Sequence, residues 1–204
     1  MTCYYEANDG ESTQTVRRSR FLTVVRRVSD EDAAAEIMSA LRSKYHDATH
    51  VCYAYRMGER GQTAKFSDAG EPKGTAGAPI LAAITENECT NTLCAVVRWF
   101  GGVKLGAGGL TRAYHNCAAD ALCEVGKVKY ELKQLWRISC PLSLYSTLTR
   151  IAESGGARIT EREFGENATF TIADAIGSQT AKTLSDAAAG RAEIERLEEK
   201  YVKQ

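Results

Sequence analysis

Neither sign of charge is in excess in this chain: 26 lysines and arginines stand against 26 aspartates and glutamates. Division near Gly126 leaves both halves close to neutral. A strong non-specific nucleic-acid binder carries a basic excess, so that class survives only as a local patch, and no DNA specificity is inferred. The seven cysteines are an odd number and no two are spaced C-x-x-C. That argues against a disulfide framework and against a zinc knuckle. Most of them sit in apolar runs, where reduced cysteine behaves as a small hydrophobe. No apolar run approaches the ~20 residues that span a bilayer, and the opening MTCYYEANDG has no charged-then-apolar signal pattern. The expectation is a reduced, cytoplasmic protein with no membrane partner, no metal and no cofactor.

At 204 residues the chain is one large domain or two small ones. Residues 15–28 read as one β-branched strand among arginines, and Ser29 with Asp32 reads as a capping box. Ala34, Ile37, Leu41 and Tyr45 then recur at helical spacing. HVCYAYR (50–56) is a strand that puts His50 and Cys52 on one face. Residues 66–77 are rich in turns, and a helix follows with Pro79 in its first turn. Residues 93–100 are apolar on both parities except at Arg98, as in a central strand covered on both faces. Tyr114, Cys117, Ala118, Ala121 and Val125 trace one face of the next helix.

After Gly126 the rhythm is strand, helix, strand, strand, helix, strand. This is the split βαβ, ferredoxin-like pattern. The last segment carries a conflict: Ile194, Leu197 and Tyr201 have helical spacing, while the architecture demands a strand. The chain is expected to divide into residues 1–128 and 129–204.

Two glycine-rich loops carry the functional question. VVRWFGGVKLGAGGLTRAY (96–114) places Gly101, Gly102, Gly106, Gly108 and Gly109 between a strand and a helix. Arg98, Lys104 and Arg112 flank or interrupt them. Glycine at a strand–helix junction lets N–H groups converge on an anion at the helix N-terminus. The letters match neither Walker A nor G-x-G-x-x-G, because the loop lysine precedes the last three glycines. A compact structural turn is the alternative.

SDAGEPKGTAGAPI (67–80) is the second loop, with acids Asp68 and Glu71 and with Thr75 placed to cap the following helix. Across a cleft Asp68 or Glu71 would pair with Arg98, Lys104 or Arg112, either as a binding site or as a structural ion-pair network. Were that pair near the surface, its loss would cost no more than ~1 kcal/mol. His50 is the best general-base candidate, with Asp68 and Glu71 as further proton carriers, and Cys52 is a conceivable nucleophile beside it.

The two loops together, with RSRF (18–21) and ATHVCYAY (48–55), resemble the IMPACT/YigZ family. The matched positions are His50, Asp68, Gly70, Glu71, Pro72, Gly74, Thr75, Arg98, Gly101, Gly102, Lys104, Gly106, Gly108, Gly109, Arg112 and Tyr114. The resemblance is strong over residues 15–125 and is one of layout beyond. It implies an α+β chain of two domains. The first would have the left-handed βαβ fold of the second domain of ribosomal protein S five. The second would be ferredoxin-like, similar to the last domain of elongation factor G. Eukaryotic IMPACT proteins restrain a starvation-responsive kinase of translation and carry an extra RWD domain that is not seen in this sequence. The bacterial type is the nearer likeness.

Two functions are therefore set side by side. One is a translation-linked binding protein whose cleft contacts RNA or a ribosome-associated partner through Arg98, Lys104, Arg112, Thr75 and the loop glycines. The other is an enzyme holding a small phosphorylated or acidic metabolite in the same cleft.

Overall fold

The computed structural model describes residues 2–204, as an α+β chain of two compact units, 3–129 and 130–204. The first unit contains β1 (Cys3–Ala7), β2 (Gly10–Val16), β3 (Ser19–Arg27), α1 (Glu31–Lys44), β4 (His50–Met57), β5 (Thr63–Ser67), α2 (Gly77–Glu86), β6 (Thr92–Trp99) and α3 (Ala107–Val125). Its main sheet runs β2-β3-β6-β4-β5 with every neighbour antiparallel. β3 and β4 flank β6, so β3–α1–β4 is a crossover with one strand in between.

Both sheet faces are covered, which explains why β6 is apolar on both parities. Cys94 and Val96 pack with Phe21, Cys52, Ile80 and Tyr114 beneath α2 and α3. Leu93, Ala95 and Val97 pack with Leu22, Val24, Met38 and Leu41 beneath α1.

Two local readings are corrected. Residues 15–28 are a hairpin, because Arg17 and Arg18 both take positive φ (43° and 68°) and reverse the chain in two residues. Such turns favour asparagine and glycine, so two arginines gave no signal. The cap of α1 is Asp30, whose Oδ1 accepts from the Ala33 N–H at 2.8 Å; Ser29 donates its hydroxyl to Asp30.

The second unit holds most of β7 (Lys127–Pro141), then α4 (Leu142–Ser154), β8 (Arg158–Phe164), β9 (Asn167–Asp174), α5 (Thr180–Ala188) and β10 (Glu193–Lys203). Its strands lie in the order β10-β7-β9-β8, all antiparallel, as a βαββαβ unit requires. Ile138, Leu148, Phe170, Ile172 and Leu184 form its core.

The closing segment is a strand, and its helical spacing has a cause. Ile194 lies opposite Ile138 and Tyr201 opposite Leu132, with a bulge between Arg196 and Glu199. One extra residue flips the side-chain parity, so positions seven apart share a face. No helix of the described residues is long and apolar enough to cross a membrane.

Candidate functional site

Cross-strand register assembles the site on the α2/α3 side of the first unit. Arg98 on β6 pairs with Phe21 on β3 and with His50 on β4, so all three side chains share one face. Above them the loop after β5 delivers Glu71, and α3 delivers Tyr114. Glu71 Oε1 accepts from Arg98 Nη1 at 2.6 Å and from the Tyr114 hydroxyl at 2.7 Å. His50 Nε2 lies 3.9 Å from the same oxygen. Arg98 and Glu71 are 5% and 8% exposed, so this is a buried ion pair. Arg98 Nη2 also donates to Ser19 Oγ at 3.3 Å, and its guanidinium sits 5.5 Å from the centroids of Phe21 and Phe100. Its Nε–H is buried with no partner among the described residues.

The other candidate proton carriers are held in structural roles. Asp68 Oδ1 accepts from the N–H groups of Ala76 (3.0 Å) and Gly77 (2.8 Å), and Oδ2 from Gly74 (2.8 Å). Partial burial pushes its carboxyl up, but the three N–H bonds outweigh that and hold it below the usual range. Asp68 thus caps α2 from a distance. Thr75 does not, because its hydroxyl donates to the Pro72 carbonyl at 2.6 Å. Cys52 is buried against the Asp68 carbonyl (3.0 Å) and the Tyr114 hydroxyl (3.5 Å). Burial pushes its thiol up to about 12, so it is protonated and a poor nucleophile near neutrality. Burial likewise raises Tyr114, which stays a donor. His50 Nδ1 faces the Ala69 carbonyl at 3.0 Å. A carbonyl only accepts, so Nδ1 donates to it, while Nε2 is on the Glu71 side.

Between the two loops lies a pocket of about 390 Å³, lined by Thr49, His50, Glu71, Pro72, Arg98 and Phe100 from one side. Lys104, Leu105, Gly106, Ala107 and Leu110 close the other. Here α3 begins, at Ala107, so Gly108 and Gly109 are in its first turn. Its N-cap, Gly106 (φ 73°), provides no side-chain cap, and the first turn has no acid. The Leu110 N–H bonds the Gly106 carbonyl, whereas those of Ala107, Gly108 and Gly109 have no partner among the described residues. This end of the helix therefore keeps its full partial positive charge.

Lys104 is exposed and makes no hydrogen bond or ion pair among the described residues. Arg112 points elsewhere: with Gln14, Arg17, Gly109 and Asn116 it lines a second hollow of about 340 Å³, which shares Leu105 with the first. Gly101 is structural, for an added Cβ would lie 1.9 Å from the Arg18 carbonyl oxygen, and its N–H bonds Ser19 Oγ. Gly102 is exposed, with no atom within 4 Å of its would-be Cβ.

The structure brings His50, Glu71, Arg98, Lys104 and Gly106 to one pocket and leaves Arg112 beside it. Sequence reasoning missed Ser19, Thr49, Phe100 and Leu105. Only Ser19 left a trace, as a hydroxyl entering a buried strand.

Residues 17–122 match the model of the Impact N-terminal domain. The IMPACT family member YvyE of Bacillus subtilis is 34% identical over 161 residues, covering 79% of this chain and 74% of its own. YigZ of Escherichia coli is 37% identical over 111 residues, 53% of this chain and 54% of its own. A crystal structure titled as a hypothetical protein is 24% identical, covers 98% of this chain and 100% of its own, and superposes with a TM-score of 0.62, which shows a shared fold. On the two glycine loops, the domain match and these relatives, the chain belongs to the IMPACT family.

Proposed function

We propose that this chain is a cytoplasmic, translation-linked binding protein that contacts RNA, free or within a ribosomal partner, through the glycine-loop pocket and its rim. The translation link rests on the family, whose eukaryotic members act in translational control. The RNA contact rests on one observation. In a chain with no net charge, the exposed side chains of Arg17, Lys104 and Arg112 line the two hollows at the start of α3, have no ionic partner among the described residues, and stand beside an uncapped helix N-terminus. Unpaired cations beside free N–H groups suit phosphate oxygens.

The enzyme reading has less to work with. Asp68 is spent on the cap of α2, Glu71 on Arg98 and Tyr114, and Cys52 keeps its proton. His50 alone remains to move a proton. Filter binding of single-stranded and structured RNA at low salt tests the proposal. Wild type is expected to retain RNA, and Lys104→Ala combined with Arg112→Ala to retain markedly less. Absence of retention at low salt, or equal retention by the double variant, overturns it.

A further inference from the structure

The pocket is much too large for a phosphate group alone, and its walls say what else it takes. Of about 390 Å³, a phosphate at the α3 N-terminus would fill a small part. The remainder is bounded by Pro72, Phe100, Leu105 and Leu110. Phe100 is 46% exposed at the mouth, a large aromatic that no neighbour covers fully. Its ring has the Arg98 guanidinium at 5.5 Å on the protein side. That guanidinium is fixed by Glu71 and Ser19, so the ring is backed by a rigid cation.

The polar lining is Thr49, His50, Glu71, Arg98 and Lys104, with Glu71 already neutralised by Arg98. Lys104 and the unpartnered N–H of Ala107 provide an anion end, continued by the unpartnered N–H of Gly108 in the same helical turn, and Arg98 keeps a buried Nε–H without a partner among the described residues. Gly108 has a further peculiarity. It is helical, has no positive φ, and a Cβ there would meet nothing within 4 Å. Neither packing nor backbone conformation demands glycine at that point. Close approach of a ligand to the helix backbone would.

From these features we infer that the pocket receives one unstacked nucleotide, its base against Phe100 and its phosphate on Lys104 and the first turn of α3. The inference rests on the RNA reading above and makes it more specific, because it requires a single-stranded nucleotide splayed from its neighbours. Single-stranded RNA is commonly held in this way, by an aromatic face together with a cationic backbone contact.

The test is a calorimetric titration of the full chain with the four nucleoside 5′-monophosphates, ribose 5-phosphate and inorganic phosphate. Nucleotides are expected to bind at least about fivefold tighter than ribose 5-phosphate, the smaller end of what base–aromatic stacking contributes. Phe100→Ala should remove that advantage and Phe100→Trp restore it, while Lys104→Ala weakens all three kinds of ligand alike. Phe100 is half-exposed and also rests on Arg98, so a melting curve of each variant reads the cost of losing that contact, and recovery of binding in Phe100→Trp separates the loss of stacking from it. Nucleotides binding no better than ribose 5-phosphate, or a Phe100→Ala variant that binds them unchanged, overturns the inference. Retention of RNA on filters in that case would leave the wider proposal standing and confine the RNA contact to phosphates at the pocket's rim.

Discussion

Glu71 and Lys104 sit a few residues from their glycines in the same pocket, yet their removal should have opposite consequences. Glu71→Ala leaves the guanidinium of Arg98 buried without its carboxylate, which costs about 3–5 kcal/mol for a pair of this kind. That exceeds the ~1 kcal/mol of a surface pair by a wide margin, and urea denaturation will read it as a lower midpoint at unchanged slope. Lys104→Ala removes an exposed, unpaired side chain and should shift stability by no more than about 0.5 kcal/mol.

Gly101 and Gly108 separate in the same manner. Gly101→Ala forces a methyl into the Arg18 carbonyl and should destabilise by about 1–3 kcal/mol. Gly108→Ala has open space and a helical backbone, so it should stabilise by about 0.5–1 kcal/mol while weakening RNA binding. Gain of stability with loss of binding would mark a position kept small for a ligand. Thiol chemistry gives an independent check: at pH 8 Cys123, which is exposed, should react with an alkylating reagent, and Cys52 should not until the protein unfolds.

Elements are positioned here by contacts that reach outside them. α2 has no cap of its own, and Asp68, eight and nine residues earlier, accepts the Ala76 and Gly77 N–H groups instead. Asp68→Ala should cost about 0.5–2 kcal/mol through that cap, and Asp68→Asn keeps a capping oxygen while removing the titration. The folded carboxyl titrates below its ordinary value of 3.8, so the unfolded chain binds the proton more readily. Its stabilisation is therefore complete above that value and lost as pH falls through the lower, folded one. A series of urea midpoints from pH 6 to pH 2 should fall more steeply for wild type than for Asp68→Asn.

The same long reach explains what the sequence told and what it hid. The doubly covered β6 announced itself by apolar residues on both parities, and the βαββαβ order of the second unit by its turn spacing. The hairpin at Arg17–Arg18 was silent because its turn lacks the residues such turns favour. The bulge in β10 imitated a helical period. At the site, charge and glycine content pointed to both loops, and the possible pairing of Glu71 with Arg98 could be read. The burial of that pair could not, because it depends on Phe21 of β3, Phe100 of the loop after β6 and Tyr114 of α3 closing over it.

For the molecule as a whole, zero net charge means that attraction to RNA must be local. On the RNA reading proposed above, the unpaired cations around the α3 N-terminus would supply it, and counterions released from phosphates would make it depend on salt. The dependence of log affinity on log salt for full-length protein and single-stranded RNA is the most direct measurement of that claim. Each phosphate neutralised contributes about 0.7 to the slope. Wild type should show a steep negative slope, and Lys104→Ala with Arg112→Ala a slope shallower by about 1.4. A wild-type slope near zero, or one that the double variant leaves unchanged, would contradict phosphate recognition at this end of the helix.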